Sequence, residues 1–328
     1  MSYVLGVDGG NTKTVALLAR LDGRIAGAGR GGCGDIYGGV PASVALASIE
    51  EAVNGALRQA GTRPEAIEAG VFSLAGADWP EDFDFIRSEM QKRAFGANVI
   101  VMNDAVGALR AGSPDGTGVV VVCGTGAAIG ARSASGAVWH TSFWQEPQGG
   151  RQLGDKTLRA VYRAELGIDP PTALTGRVLQ FFGQPSVEDV LHLFTARLGK
   201  RPSNVGGLAR VVMDEADRGD ATAGRIVQEH GTALGDYALA SARRVGIEGT
   251  PFTLVLAGGV LRHPAPLLGA ALVARVRTTS PEARVVNSRF EPVVGALFLA
   301  LEATGVAVDD ELIARMTTTL PPASLFET

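Results

Sequence analysis

The chain has 328 residues, a net charge of -4 and 30 basic residues that are scattered along its length. This length allows two domains of ordinary size, and the charge pattern lacks the basic cluster of a nucleic-acid or anionic-membrane binder. We therefore expect a small-molecule partner, with no nucleic acid and no membrane involved.

Neither a targeting segment nor a metal-binding cysteine cluster is indicated. The N-terminus has no basic segment followed by an apolar helix, and the longest apolar stretch, GVVVVCGTGAAIGA, is too short and too glycine-rich for a membrane-spanning helix. The two cysteines, Cys33 and Cys123, fall in no CxxC pattern, and Cys123 is expected in the core. A soluble cytoplasmic protein is the expectation.

The first third of the chain predicts a three-stranded meander followed by alternating helices and strands. A helix is predicted at 41–61, with one apolar face that includes Val44, Ile49 and Val53, and with Gly61 placed to end it. The other elements are strands at 3–10, 14–22 and 24–32, a strand at 69–77, a helix at 80–95, a strand at 98–104 and a helix at 105–112. This alternation is typical of an α/β layer.

The pattern starts again at Gly118, about 115 residues later, with three further strands separated by glycine turns. A mostly helical stretch at 154–245 follows, and the copy then resumes with a strand at 251–260, a helix at 264–278, a strand at 283–288 and a helix at 292–305. We predict a duplicated βββαβα plan with a helical insert in the second copy. The predicted lobes are 1–115, joined by the closing helix and tail at 295–328, and 116–294.

Glycine-rich turns follow three of the apolar strands. In GVDGGNTKT, Asp8 ends a strand, Gly9 and Gly10 can adopt positive φ, and the amides of the turn are expected to point outward in a concave arrangement that binds an anion. A divalent metal between Asp8 and that anion would explain the carboxylate. The alternative is an ordinary hairpin, which is the more frequent meaning of such a turn.

The second and third turns are CGTG, with Gly124, Thr125 and Gly126, and LAGGV, with Gly258 and Gly259. The first two turns, facing each other, could hold the β- and γ-phosphates of one nucleotide. The paired glycines of LAGGV could offer bare backbone to a flat ring such as adenine, although a closely packed β-α turn is the alternative. No P-loop and no dinucleotide-binding fingerprint occurs.

Two more carboxylates end predicted strands in the first copy. Asp104, in VIVMNDAVGAL, is either a helix N-cap or a general base that takes a proton from a substrate hydroxyl. Asp78, in SLAGADWP, either accepts hydrogen bonds from a polyol or serves as a cap or turn residue.

The order of these segments resembles the actin, hexokinase and Hsp70 ATPase superfamily, and within it the N-acetylglucosamine kinase and BadF/BadG activator-ATPase family. The resemblance covers essentially the whole chain and rests on GVDGGNTKT, SLAGAD, NDAVGAL, CGTGAAIG, LAGGV and the closing helix around Gly295. It implies a protein with a two-lobed ribonuclease H-like fold and with ATP and Mg²⁺ as cofactors.

The resemblance also implies roles for individual residues. Asp104 would be the catalytic base beside the sugar's 6-hydroxyl, and Asp8 would hold Mg²⁺ through water. Phosphate and adenosine contacts would come from Gly9, Gly10, Asn11, Thr12, Lys13, Gly124, Thr125, Gly126, Gly258 and Gly259. Sugar contacts would come from Asp35, Asp78, Asp104, Gly150 and Asp155.

The chain departs from the family pattern at two places. Asp35 stands where Asn is expected, and the segment GGRQLGDKTL keeps Gly150 and Asp155 but replaces the Glu-Gly-Ser that usually follows with Lys-Thr-Leu. Both changes alter the groups with which the pocket can pair, so glucosamine stands beside N-acetylglucosamine as the expected substrate.

Two other functional classes compete with an ATP-dependent sugar kinase. An activator ATPase would share an iron-sulfur cluster between two subunits, but Cys33 and Cys123 lie in the wrong motifs for that role. A sugar or nucleotide sensor that has lost its chemistry is the third possibility. For the kinase we expect a homodimer, the commonest assembly of such enzymes.

Overall fold

The computed structural model describes residues 1–146 and 148–326, in which ten strands form two sheets of five. The first sheet has the order β3-β2-β1-β4-β5, and its strands are β1 (Tyr3–Gly9), β2 (Thr14–Arg20), β3 (Ile25–Gly31), β4 (Ile67–Leu74) and β5 (Asn98–Asn103). The second sheet has the order β8-β7-β6-β9-β10, and its strands are β6 (Gly118–Cys123), β7 (Ala127–Arg132), β8 (Val138–His140), β9 (Thr253–Ala257) and β10 (Arg284–Asn287). The two orders are the same, which confirms the predicted duplication and the two-lobed α/β fold.

Helices fill the connections of both sheets. Those of the first half are α1 (Ala42–Ala60), α2 (Pro80–Lys92) and α3 (Asp104–Gly112). The insert and the rest of the chain contain α4 (Gly150–Glu165), α5 (Leu174–Phe182), α6 (Val187–Thr195), α7 (Leu208–Asp217), α8 (Ala221–Arg244), α9 (Leu267–Arg277), α10 (Pro292–Glu302) and α11 (Asp310–Thr317). None of the helices in the described ranges is long and apolar enough to cross a membrane.

The strand register aligns the ends from which the candidate residues project. In the first sheet β1, β4 and β5 are parallel, with Gly9 opposite Leu74 and Leu74 opposite Asn103. In the second sheet Val122 of β6 lies opposite Ala257 of β9. The carboxyl ends of these strands therefore share one edge in each sheet, which is where open α/β sheets bind ligands.

Helix α1 shows how glycine serves packing rather than ligand binding in part of this chain. A Cβ on Gly27, Gly29 or Gly31 of β3 would lie within 2.0–2.1 Å of a carbonyl oxygen of α1, so these glycines allow the helix to lie directly on the strand. The predicted apolar face was correct at Ile49 and Val53, but Val44 is exposed and Leu46 is buried in its place.

Helix α3, which begins at Asp104, is wedged between the two sheets. On one side Ala105, Ala108 and Leu109 pack against Val120 and Val255 of the second sheet. On its other side α3 crosses α10, which packs in turn on the first sheet. The position of Asp104 is thus fixed by contacts from both halves of the molecule.

The tail after α10 returns to the first half. Leu312 and Met316 of α11 are buried in the core beneath β1 and β2, and Leu325 and Phe326 pack against the same cluster. Residues 327 and 328, the end of the predicted tail, lie outside the described residues, as does residue 147.

Candidate active site

Four carboxylates from separate segments of the first half interact at the carboxyl edge of its sheet. Asp8 is the next-to-last residue of β1, Asp35 follows β3, Asp78 follows β4, and Asp104 is the first residue of α3. β1, β4 and β5 are parallel, and β3 runs in the same direction because β2 is antiparallel to both β1 and β3, so the ends of these strands share one edge. The sequence had singled out all four residues.

Burial, with a smaller contribution from neighbouring charges, raises the pKa values of these acids. Burial, followed by the charges of Asp8, Asp78 and Asp35, raises the pKa of Asp104 to about 8. Burial raises the pKa of Asp8 to about 7, which Lys13 opposes and Glu291 reinforces. A site that concentrates so much negative charge is suited to cations and to hydroxyl donors.

Asp104 is held through its backbone, and its carboxylate is left available. Asn103 is the N-cap of α3 and accepts from the amide of Ala105, so the N-cap alternative for Asp104 is wrong. The Ser73 hydroxyl donates towards the Asp104 carbonyl oxygen at 3.3 Å. Within the described residues no side chain forms a hydrogen bond with the Asp104 carboxylate, which therefore has the freedom that a general base needs.

Asp78 receives both of its side-chain hydrogen bonds on one oxygen. Its Oδ1 accepts from Asn103 Nδ2 at 2.9 Å and from Ser142 Oγ at 2.5 Å. Burial is the main cause that raises the Asp78 pKa to about 6. The backbone of the loop is held separately, by Asp82, which accepts from the amides of Asp78 and Trp79. Asp78 therefore caps no helix, and its Oδ2 has no hydrogen-bond donor in the described residues.

Asp35 links the first glycine turn to the loop after β3. Its Oδ2 accepts from Asn11 Nδ2 and its Oδ1 from the Tyr37 amide, each at 2.8 Å. Burial raises the pKa of this carboxyl group. Both oxygens of Asp35 therefore accept hydrogen bonds. A carboxylate can accept both, which gives a structural explanation for Asp at the position where the family pattern has Asn.

The first glycine turn does not use the positive φ that glycine allows. Neither Gly9 nor Gly10 adopts it. Gly9 instead packs closely, since a Cβ there would lie 2.5 Å from Leu74. Lys13 donates from Nζ to the carbonyl oxygen of Phe326 in the tail, while Asn11 and Thr12 are exposed.

In the second and third turns, three glycines are required neither by close packing nor by backbone conformation. A Cβ on Gly124, Gly126 or Gly259 would meet no atom within 4 Å, and none of the three has a positive φ. Three other glycines share these properties, and they lie inside helices: Gly176, Gly224 and Gly269. Bare backbone in open turns suits the close approach of a ligand.

Gly258 has a different role in the third turn. Its φ is +93°, and a Cβ there would lie 2.3 Å from the Cys123 carbonyl oxygen. The Val260 amide also donates to that oxygen at 3.0 Å. Gly258 therefore joins the third turn to the end of β6, just before the second turn.

A cavity of about 390 Å³ adjoins the third turn. Gly206, Gly207, Met213, Gly259 and His263 are among the residues that line it, which combines glycine backbone with apolar and ring side chains. The size and lining suit a flat heterocycle. The helical insert thus supplies the wall opposite Gly259.

The departing segment GDKTL forms the first turns of α4. Gly150 donates its amide to the Gly124 carbonyl at 2.8 Å, so this helix starts against the second turn. Thr157 and Leu158 are buried in the core of the second half, which gives them a packing role. Asp155 is exposed, and among the described residues no hydrogen bond joins it to the four carboxylates. Its contact with the sugar stays a prediction.

A model of the BadF/BadG/BcrA/BcrD ATPase family matches residues 5–300. The chain belongs to this family. The match spans both sheets, the three glycine turns and the four carboxylates, so the resemblance drawn from the sequence motifs is confirmed.

The relatives of this chain include two proteins that are named as sugar kinases. The chain is 26% identical to an N-acetylmuramic acid/N-acetylglucosamine kinase of Clostridium acetobutylicum over 304 residues, which cover 92% of this chain and 98% of that protein. It is 27% identical to the glucosamine kinase GspK of Vibrio cholerae over 236 residues, which cover 70% and 76% of the two chains.

Comparison of structures supports the same fold. A ROK family glucokinase of Streptomyces griseus, solved with glucose and AMPPNP, superposes with a TM-score of 0.55 at 18% identity, covering 92% of this chain and all of that one. The family member described here therefore has the two-lobed fold of sugar-kinase structures.

Sequence reasoning missed several residues that the structure places at the site. Ser142 and His140 come from the second half, and their side chains hydrogen-bond each other at 2.6 Å beside Asp78. Glu291 precedes α10, pairs with Arg262 at 2.8 Å and acts electrostatically on Asp8 and Lys13. None follows a glycine-rich turn or ends a predicted strand next to a carboxylate, so local pattern gave no signal for them.

Proposed function

We propose that this protein is an ATP-dependent kinase that phosphorylates the 6-hydroxyl of an amino sugar, with N-acetylglucosamine or glucosamine as the substrate. The observation that carries the proposal is a half-buried Asp104 carboxylate that no side chain of the described residues hydrogen-bonds, in a chain that also presents bare-backbone turns in its second half. The names of the two sugar-kinase relatives support the substrate class.

Asp104 is the proposed general base. In the unliganded site the raised pKa, about 8, keeps Asp104 largely protonated at neutral pH. Binding of a cation and substrate would neutralise its neighbours, lower that pKa and leave the carboxylate able to accept a proton. It would take the proton of the attacking hydroxyl as that oxygen reaches the γ-phosphate. Asp35, Asp78, Gly150 and Asp155 are the proposed sugar contacts, with Asp78 the best placed because its Oδ2 accepts no hydrogen bond from the described residues.

The nucleotide is proposed to lie across the glycine turns. Residues Gly9 to Lys13 and Gly124 to Gly126 would contact the phosphates, and the base would enter the 390 Å³ cavity beside Gly259. For Lys13 to reach a phosphate it must release the Phe326 carbonyl.

The residues around Asp8 fit a magnesium ion. Asp8 is a half-buried carboxylate beside the first glycine turn, and a hard cation prefers oxygen ligands of this kind. Bound Mg²⁺ would neutralise phosphate charge at this position. Asp8 is the proposed metal residue and Asp104 the proton acceptor.

The lobes proposed from sequence, 1–115 with 295–328 and 116–294, would close around both substrates and exclude water. The packing of α10 and the tail on the first sheet supports this division. A cytoplasmic homodimer completes the proposal.

The test is ATP turnover, followed through ADP release, against glucosamine, N-acetylglucosamine, N-acetylmuramic acid, glucose and mannose. We expect an amino sugar to give the highest kcat/KM. If no sugar raises ADP release above the sugar-free rate, and the anaerobically purified protein is brown with absorbance near 400 nm, the activator-ATPase class replaces the kinase.

A further inference from the structure

A short segment of the second half reaches into the first half beside Asp78. It runs from Thr141 to Gln145, between β8 and α4, and we call it the 141–145 loop. Ser142 Oγ donates to Asp78 Oδ1 at 2.5 Å, and Asn103 Nδ2 donates to Ser142 Oγ at 3.4 Å. The loop therefore connects the second half to two residues of the carboxyl edge of the first sheet.

The loop holds Ser142 in an unfavourable backbone conformation. Its φ is +35°, and in the described residues only Ala94 is another non-glycine residue with positive φ. Such conformations persist where the surroundings determine them, and they cluster at functional sites. Here Thr141 is the anchor: its amide and hydroxyl both donate to the Ile129 carbonyl, at 2.9 and 3.2 Å.

Aromatic side chains make a second, independent contact between the halves. Phe143 of the loop lies with its ring edge-on to Tyr37 at 5.1 Å and stacked on Trp79 at 6.3 Å, both in the first half. All three rings remain exposed, at 57%, 49% and 41%. Tyr37 and Trp79 directly neighbour the segments that carry Asp35 and Asp78, so these rings border the carboxylate pocket.

The two candidate sugar-binding carboxylates, Asp35 and Asp78, differ in how many of their oxygens already accept protein hydrogen bonds. Both oxygens of Asp35 accept protein hydrogen bonds. Asp78 accepts both of its bonds on Oδ1, so Oδ2 is free of donors from the described residues. Because its side chain is 7% exposed, the rotamer of Asp78 is set by the groups that hold Oδ1.

We propose that the 141–145 loop is a latch that completes the sugar site from the opposite half, with Ser142 as the positioning residue for Asp78. Ser142 and Asn103 hold Oδ1 so that Oδ2 accepts a sugar hydroxyl, and Phe143 seals the mouth of the site against Tyr37 and Trp79. The inference rests on the proposed sugar-kinase function and adds, to the second half's proposed contacts, a role in positioning a sugar-binding carboxylate of the first half.

The first test is the variant Ser142→Ala, which removes the donor but keeps the loop. We expect the KM for the sugar to rise at least tenfold, with the KM for ATP and the sugar-free ADP release within twofold of wild type. Ser142→Asn should restore most of the sugar affinity, because asparagine tolerates positive φ and can donate from its amide. Ser135→Ala, an exposed serine on the β7–β8 turn, is the matched control and should change neither KM.

A purely structural role for Ser142 would give a different pattern. Ser142→Gly relieves the backbone strain, so if strain alone mattered it would match wild type in sugar KM, whereas the latch requires it to behave like Ser142→Ala. For the aromatic contact, Phe143→Ala should raise sugar-free ATP hydrolysis by letting water enter, and Trp144→Ala, an exposed neighbour, should not. An unchanged sugar KM in Ser142→Ala overturns the latch.

A double-mutant cycle separates failure of the latch from failure of the proposed function. Ser142→Ala and Asp78→Ala are combined, and their effects on the free energy of unfolding are compared. Non-additive effects are expected even if no sugar is phosphorylated, because the hydrogen bond exists without substrate. Additive effects in a protein that does phosphorylate sugar would refute the latch and leave the kinase proposal standing.

Discussion

Asp104 combines a fixed backbone with a carboxylate that no side chain of the described residues hydrogen-bonds. Its peptide is held by the N-terminal turn of α3 and by Ser73, while the acid group is surrounded by the charges of Asp8, Asp78 and Asp35. A structural acid in such a position would be expected to have a hydrogen-bond donor. The arrangement destabilises the unliganded protein, and it is what a binding site for a cation and several hydroxyl groups requires.

The first prediction concerns chemistry at this residue. Asp104→Asn should lower kcat for sugar phosphorylation by about 10²- to 10⁴-fold, the usual contribution of a general base, while the affinity for ATP changes little. Steady-state ADP release and nucleotide titration measure the two effects. Turnover near the wild-type rate would exclude Asp104 as the base.

The second prediction concerns stability and pH. The folded pKa of Asp104, about 8, lies above its ordinary value of 3.8, so the native state keeps a proton that the unfolded chain loses between these limits. Stability is therefore full below about pH 4 and falls as pH rises towards 8. Without Mg²⁺ and nucleotide, Asp104→Asn should exceed wild type in unfolding free energy by at least about 1 kcal/mol more at pH 8.5 than at pH 5.

Denaturant unfolding at the two pH values measures this difference. Asp217→Asn, at the exposed end of α7, serves as the control and should follow the wild-type pH profile. A constant difference between Asp104→Asn and wild type across the range would show that the carboxyl group does not retain its proton on folding.

At the scale of elements, the crossing of α3 and α10 fixes the site. A Cβ on Gly295 of α10 would lie 1.9 Å from the Gly107 carbonyl oxygen and 2.6 Å from the Ala111 amide nitrogen of α3. Only glycine lets the two backbones approach this closely. Since α3 carries Asp104, the contact also governs the position of the proposed base.

The third prediction follows from this crossing. Gly295→Ala should lower the free energy of unfolding by about 1–3 kcal/mol, as other overpacked cores do, and should lower kcat through displacement of α3. Gly269→Ala in α9, where the added Cβ meets no atom within 4 Å, should instead stabilise by about 0.5–1 kcal/mol. Thermal unfolding of both variants measures the two changes in stability. Equal changes in Gly295→Ala and Gly269→Ala would contradict the packing argument.

For the whole molecule, the turns and carboxylates belong to two sheets that α3 holds together. A nucleotide bound across these turns would contact both halves, and its binding to the native state alone would raise stability by about 2.7 kcal/mol at a hundred times its dissociation constant. Ligand binding and the closure of the cleft are therefore expected to be linked.

The fourth prediction tests whether the second turn faces a nucleotide. Gly124→Ala should melt at the wild-type temperature without ligand, because its Cβ would enter open space. It should lose most of the thermal shift that Mg²⁺ and AMPPNP give the wild type, since the methyl group would occupy the space of a phosphate. Gly224→Ala in α8 is the control and should keep the shift; an unaffected Gly124→Ala would remove this turn from the nucleotide site.

The sequence by itself determined the elements, their duplication and the four carboxylates. It could do so because apolar strands, amphipathic helices such as α1 and turn glycines have short-range signatures, and because parallel strands that end in acids must bring those acids to one edge. Gly61, predicted to end α1, does so with φ +63°.

Only the tertiary structure decided which residues complete the site and what each glycine is for. Ser142 reaches Asp78 from 64 positions away in the chain, and the charge of Glu291, just before α10, raises the pKa of Asp8. The glycines of β3 serve helix packing, whereas Gly124, Gly126 and Gly259 face open space. Such distinctions depend on contacts between segments distant in sequence, and no local pattern records them.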